Sequence, residues 1–283
     1  MEKNIMIIIR KKIDFFINNQ YLLLLIIGVF AFMLRLYYFE PDVPLALDSL
    51  IYFSYSFDTS VQGNLPSNYS PANNGWPALV GIFFSFFHFD EPIYYMQLQK
   101  IISITFSTIT LIPVYFLCRY FFSKKLSLIG ASFFVFEPRI LLNSLTGITE
   151  PLYIFLISMV LVLFLSQNKK LVYASFGIMA LTSMVRGEGV ILLFVMSILF
   201  FIRYRKSWTV IPKYIPAILI FVIVLMPMSV YKEEIHGDDR IFGRVMEVIN
   251  VHILTPEEGS NNWNQLTDTE QERVKEGQYT GIN

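Results

Sequence analysis

Seven stretches of mostly apolar sequence constrain this chain more than any other feature: Tyr21–Tyr38, Ile101–Leu117, Leu126–Leu142, Leu152–Leu165, Leu171–Val185, Val190–Ile202 and Ile211–Val230. A helix that crosses a bilayer needs about 20 such residues. Several of these runs are shorter, so their helices must tilt or borrow flanking residues. Hydrophobic residues make up 54% of the 283, and charged residues only 16%, against roughly 25% charged in an average soluble domain. One water-soluble core cannot hide that much apolar surface, because single cores stop growing near ~250–300 residues. Composition therefore argues against a soluble enzyme, a disordered chain and a nucleic-acid binder. The expectation is an all-α polytopic membrane protein.

Charge sets the orientation. The basic clusters are Lys3/Arg10/Lys11/Lys12, Arg119/Lys124/Lys125, Lys169/Lys170 and Arg203/Arg205/Lys206/Lys213. With seven spans all four fall on one side, the cytoplasm by the positive-inside rule. The 64 residues between Arg35 and Lys100 hold no Lys or Arg but carry Glu40, Asp42, Asp48, Asp58, Asp90 and Glu91, so they belong outside. A further apolar run, Trp76–Phe89, is short and aromatic-rich. Counting it as a span would invert the later clusters, so it reads as a segment of the first outer loop, about residues 40–95. The N-terminus is expected inside. The first apolar run is too long for a signal-peptide core and lacks a small-residue cleavage site after it.

Zero formal net charge conceals an asymmetry: residues 1–230 carry a net +6, and residues 231–283 a net −6. The chain thus divides into a membrane module, 1–230, and an acidic extracytoplasmic tail, 231–283. Within the tail, Thr269-x-x-Glu272 resembles a capping box, and Arg240–Leu254 suits a surface-lying amphipathic helix. The single cysteine, Cys118, excludes an intrachain disulfide.

Ionisable side chains at a membrane edge are costly and raise functional questions. On the expected outer face these are Asp48, then Glu137/Arg139/Glu150, then Arg186/Glu188, then His236/Asp238/Asp239/Arg240, with Arg35 and Lys100 near the outer ends of their helices. Asp48 also suits a solvated loop or a helix N-cap before Ser49–Phe57. Glu150, ahead of Pro151, suits a helix N-terminus on charge–dipole grounds alone. Arg186 has a planar guanidinium able to grip phosphate bidentately, and it equally suits a salt bridge with Glu188. The Glu137-Pro138-Arg139 triplet reads as a local pair at a kinked helix end. His236, Asp238 and Asp239 read as a solvated turn rather than a metal site, and His88 and His252 as ordinary interface residues. The Phe83/Phe84/Phe86/Phe87/Phe89 stripe is expected to bury in the interface or to line a groove for a lipid tail. Asn68-Tyr-Ser70 matches a glycosylation acceptor triplet.

Arg35-Leu-Tyr-Tyr, Leu45-Ala-Leu-Asp48-Ser, Asn74-Gly-Trp-Pro77, Thr149-Glu150-Pro-Leu-Tyr153 and Arg186-Gly-Glu188-Gly189 together resemble the GT-C superfamily of polytopic glycosyltransferases, in its dolichyl-phosphate-mannose–protein mannosyltransferase-like branch. The resemblance spans about residues 20–230. It implies a seven-helix module with a catalytic acid in the first outer loop and a polyprenyl- or dolichyl-phosphate sugar as donor. The acceptor, whether protein, lipid or glycan, stays open. By this resemblance Asp48 is the general base that takes the acceptor's proton. Glu150 is associated with acceptor or metal, and Arg186 holds the donor phosphate, with Arg35 and Lys100 as weaker choices. A divalent metal stays open as a cofactor, since one glutamate supplies few of the oxygens a hard cation wants. Relatives in the family are usually longer, so a partner subunit also stays open. The competing readings are a transporter or flippase, and a non-catalytic scaffold.

Overall fold

The computed structural model describes residues 19–67, 74–205 and 210–236, with side chains to 234. Among these residues the chain is all helical. The helices are α1 (Gln20–Tyr37), α2 (Asp48–Gln62), α3 (Gly75–Phe84), α4 (Pro92–Ile109), α5 (Leu111–Phe121), α6 (Lys124–Val135), α7 (Pro138–Leu145), α8 (Glu150–Leu165), α9 (Lys169–Val185), α10 (Gly189–Tyr204) and α11 (Val210–His236). Their starts follow local chemistry. Asn19 and Asn168 accept from backbone N–H groups in the first turns of α1 and α9. Prolines occupy the first turns of α4, α7 and α8, where a missing N–H costs nothing.

Three helical stretches are long and apolar enough to cross a membrane: Gln20–Tyr37, Pro92–Phe121 and Val210–Glu234. A fourth is reached if α6 and α7, bent by 50° at their junction, count as one span. That is fewer than the seven expected. The reason is length: α8, α9 and α10 have 16, 17 and 16 residues, about 24–26 Å at ~1.5 Å per residue, against a hydrocarbon thickness of ~30 Å. The bend has a local cause. Glu137 caps α7 by accepting from the Ile140 N–H at 2.7 Å, and Pro138 blocks continuation of α6. The carboxylate thus works as a cap, and no Glu137–Arg139 ion pair occurs among the described residues.

The segment expected to be a long loop contains two packed helices, α2 and α3. Trp76, Val80 and Phe84 of α3 are buried against Phe53, Tyr95 and Leu156, so this run joins the core instead of only lying on a surface. Of the phenylalanine stripe, Phe84 is interior, while Phe83, Phe86, Phe87 and Phe89 are exposed. The expected module boundary at residue 230 falls within α11. Residues 1–18 and 237–283, with Asn68–Ser70, Asp238, Asp239, Arg240, His252 and the capping box, lie outside the described residues, as does the His236 side chain.

Small polar side chains lie in the helix interfaces, among them Ser107, Ser127, Ser144, Ser175 and Thr182, beside large buried ones such as Trp76, Phe176 and Phe200, while many other large apolar side chains face outward. On α11 the outward stripe is Ile211, Ile215, Leu219 and Ile223, every fourth residue. An apolar exterior over small polar contacts suits helices packed in lipid, where small residues allow close approach and hydroxyls bond internally.

Tertiary contacts sort the helix ends into two groups. At one end, Gln97 reaches the Pro41 carbonyl, Trp76 reaches Gly147, Gly75 packs on Met184, and Tyr231 donates to Leu65. At the other, Tyr120 donates to the Val162 carbonyl, Arg203 to those of Phe164 and Ser166, and Cys118 packs on Gly130. Arg119, Lys124, Lys125, Lys169, Lys170, Arg203 and Arg205 belong to this second end by their places in the helices.

Candidate functional site

The first end of the bundle gathers residues from four separated parts of the chain. Its centre is the turn between α7 and α8. Gly147 adopts φ +73°, a left-handed conformation that glycine tolerates and side chains resist. A Cβ there would lie 3.2 Å from Leu45 and 3.3 Å from Gln99. The Gly147 carbonyl accepts from Gln99 Nε2 at 2.8 Å and from Trp76 Nε1 at 3.1 Å. The same Gln99 nitrogen also donates to the Ser49 carbonyl at 3.1 Å. One fully buried amide therefore ties the start of α2 to the turn that leads into α8.

Asp48 is the first residue of α2, where the helix dipole favours a carboxylate, and its side chain is exposed. The N-cap position falls on Leu47 rather than on Asp48, and no side chain caps the helix. Leu47 adopts φ +52°, a strained conformation for a non-glycine residue. The exposed acid thus leaves the fold from a kinked, tightly held backbone.

Charges meet where the start of α8 faces the turn between α9 and α10. Arg186 Nη1 contacts Glu150 Oε1 at 2.8 Å, and Nη2 contacts Glu188 Oε1 at 3.1 Å. Nε adds a longer contact to Glu188 Oε2 at 3.4 Å, so Glu188 lies side-on against the guanidinium. The Tyr153 ring sits against its face, 5.6 Å from Cζ to the ring centre. The hydrogen bond with Glu188, reinforced by the charges of Glu188 and Glu150, pushes Arg186 above the ordinary guanidinium range despite partial burial. The backbone here is locked: the Arg186 N–H bonds to the Thr182 carbonyl, and Gly189 N–H to that of Arg186. Gly75 packs beside this turn; a Cβ on it would meet the Met184 and Val185 backbone at 2.7–2.8 Å, which explains a glycine before Trp76.

A narrow crevice adjoins Glu150 and runs between Phe134, Ile140, Pro151 and Ile154, with Ser107, Thr110 and Asn143. Among the described residues no three His, Cys, Asp or Glu side chains gather as a metal set. Glu150 and Glu188 flank a guanidinium, whose positive charge would repel a cation placed between them.

Two other candidates stand apart from this cluster. Arg35 is fully buried, and its guanidinium donates to Ser144 Oγ, Ser107 Oγ and the Ala31 and Val135 carbonyls. It holds α1, α4, α6 and α7 together. Lys100 donates to the Val43 carbonyl at 2.6 Å and the Glu40 carbonyl at 3.3 Å, fastening the chain after α1. Both are spent on backbone and hydroxyl oxygens inside the protein. Sequence reasoning missed Gln99; the signal for it is the stripe Gln99, Ser103, Ser107, spaced by four along an otherwise apolar helix. No protein-family model, curated protein or solved structure matches this chain.

Proposed function

We propose that the chain is a membrane-embedded glycosyltransferase of the GT-C type. It moves a sugar from a polyprenyl- or dolichyl-phosphate donor to an acceptor at the membrane surface. Asp48 acts as the base that takes the acceptor's proton as the anomeric carbon becomes cation-like, within hydrogen-bond reach in the loaded site. Arg186 holds the donor phosphate. Glu150 serves the acceptor side. The observation that carries this reading is the meeting of Leu45–Ser49, Trp76, Gly147–Tyr153 and Arg186–Gly189 at one end of a helical bundle. These segments are far apart in sequence, and packing alone does not require acids and a guanidinium among them.

The associated topology is seven passes, with α1, α4–α5, α6–α7, α8, α9, α10 and α11 each running from one end to the other. The short helices α8 to α10 then sit within a locally thinned or tilted arrangement. The site faces outside and the basic end faces the cytoplasm. A transporter would line a path with charged groups near mid-membrane. Arg35, the buried charge nearest that description, is instead fully engaged by protein oxygens.

The test is a transfer assay with the protein in nanodiscs and a panel of radiolabelled polyprenyl-phosphate sugars. Wild type should release labelled acceptor product with at least one donor, and Asp48→Asn should abolish transfer while inserting normally. Full activity in Asp48→Asn removes the base assignment. No transfer with any donor favours the scaffold reading.

A further inference from the structure

We infer that Glu150 occupies, as an internal anion, the place on Arg186 that a lipid phosphate ester must take, so that binding the phosphate and freeing the Glu150 carboxylate are one event. This rests on the lipid-phosphate reading of the site and adds to it a competition that decides what binds and in which order.

The geometry is that of a filled anion site. Glu188 covers the Nε/Nη2 edge of the guanidinium, Glu150 takes Nη1, and Tyr153 covers one face. A phosphate needs the same in-plane donors. It also adds at least one negative charge to a cluster that already holds two carboxylates against one guanidinium. A third anion a few ångströms from the first two is repelled unless one of them leaves.

Glu150 is the one built to leave. It makes a single contact to the arginine, whereas Glu188 makes two. It stands in the first turn of α8, where the helix N-terminus stabilises a carboxylate without any partner, and the Thr149 hydroxyl lies 3.4 Å from Oε2. Glu188 meanwhile keeps the guanidinium aimed while Nη1 is vacated. The pair is about one-third exposed on each side, so a ligand can reach it. Glu150 lines a narrow crevice with Phe134, Ile140, Pro151 and Ile154, beside Ser107, Thr110 and Asn143. The apolar side chains next to the phosphate's place suit contact with the first carbons of an aliphatic chain, which favours a lipid phosphate over free phosphate. The freed carboxylate becomes available to an acceptor only after the donor has bound.

Equilibrium binding of radiolabelled decyl phosphate to the full chain in detergent tests this, with inorganic phosphate as the parallel arm. Glu150→Gln keeps the side chain's size and removes the competing charge. It should bind decyl phosphate about tenfold more tightly than wild type, just under the range measured for close charge pairs. Arg186→Ala should lose binding in either background, with thermal unfolding run alongside to show that each variant is folded. Unchanged or weaker binding by Glu150→Gln, with wild type binding through Arg186, overturns the competition and leaves the lipid-phosphate reading intact. Binding that survives Arg186→Ala, or no binding by any variant, overturns both. Inorganic phosphate binding as tightly as decyl phosphate, and tightening equally in Glu150→Gln, overturns the lipid source.

Discussion

The Gln99 side-chain nitrogen lies 2.8 Å from the carbonyl oxygen of Gly147, and it shares that contact with the Ser49 carbonyl on the far side. Both acceptors are backbone groups, so the amide orientation is set by what it faces. Gln99→Leu leaves two buried carbonyls without this donor and should destabilise the protein by about 1–3 kcal/mol. It should also lower transfer by releasing the Asp48 turn from the Glu150 turn.

The two arginines should separate by stability. Arg35→Ala strands Ser107, Ser144 and the Ala31 and Val135 carbonyls in the interior and should cost roughly 3–5 kcal/mol. Arg186→Ala removes two partly exposed ion pairs and should cost about 1 kcal/mol. Thermal shift in one detergent compares them. Equal losses would mean that Arg186 also serves the framework.

Leu47 tests local strain. Its φ of +52° suits glycine, so Leu47→Gly should be neutral or stabilising by up to ~1 kcal/mol, whereas the β-branched Leu47→Val should lose about 1–3 kcal/mol. The reverse order would mean that the turn relaxes freely.

Sidedness is checked by single cysteines in a Cys118→Ala background. Asn64→Cys and Thr146→Cys should react with an impermeant maleimide from one face of sealed vesicles, and Lys124→Cys and Lys169→Cys from the other. Labelling of positions 64 and 146 from opposite faces would end the seven-pass reading.

Much of this was open to view in the residues. Apolar runs must become helices in an environment without water to satisfy the backbone, and their placement within the helices from Gln20 to His236 follows from that. Glu137-Pro138 announced a break because proline cannot continue a helix. Local chemistry of this kind depends on near neighbours in the chain, so it can be read directly. The packing of α2 and α3 was hidden, because the mixed sequence around Phe53 and Trp76 looks the same whether its aromatic rings meet lipid or one another.

The site divides along the same line. Residue types and their order marked Asp48, Glu150 and Arg186 as groups that need a reason to stand at a helix end, and they marked Arg35 and Lys100 as weaker candidates beside them. Charge and hydropathy do not record which partner a long side chain will find. Only the three-dimensional arrangement turned Arg35 inward onto Ser107 and Ser144, carried Arg186 to Glu150, 36 residues away, and brought Gln99 between Ser49 and Gly147. Those contacts link positions dozens of residues apart, and their geometry is settled by how helices pack, which no single stretch of sequence specifies.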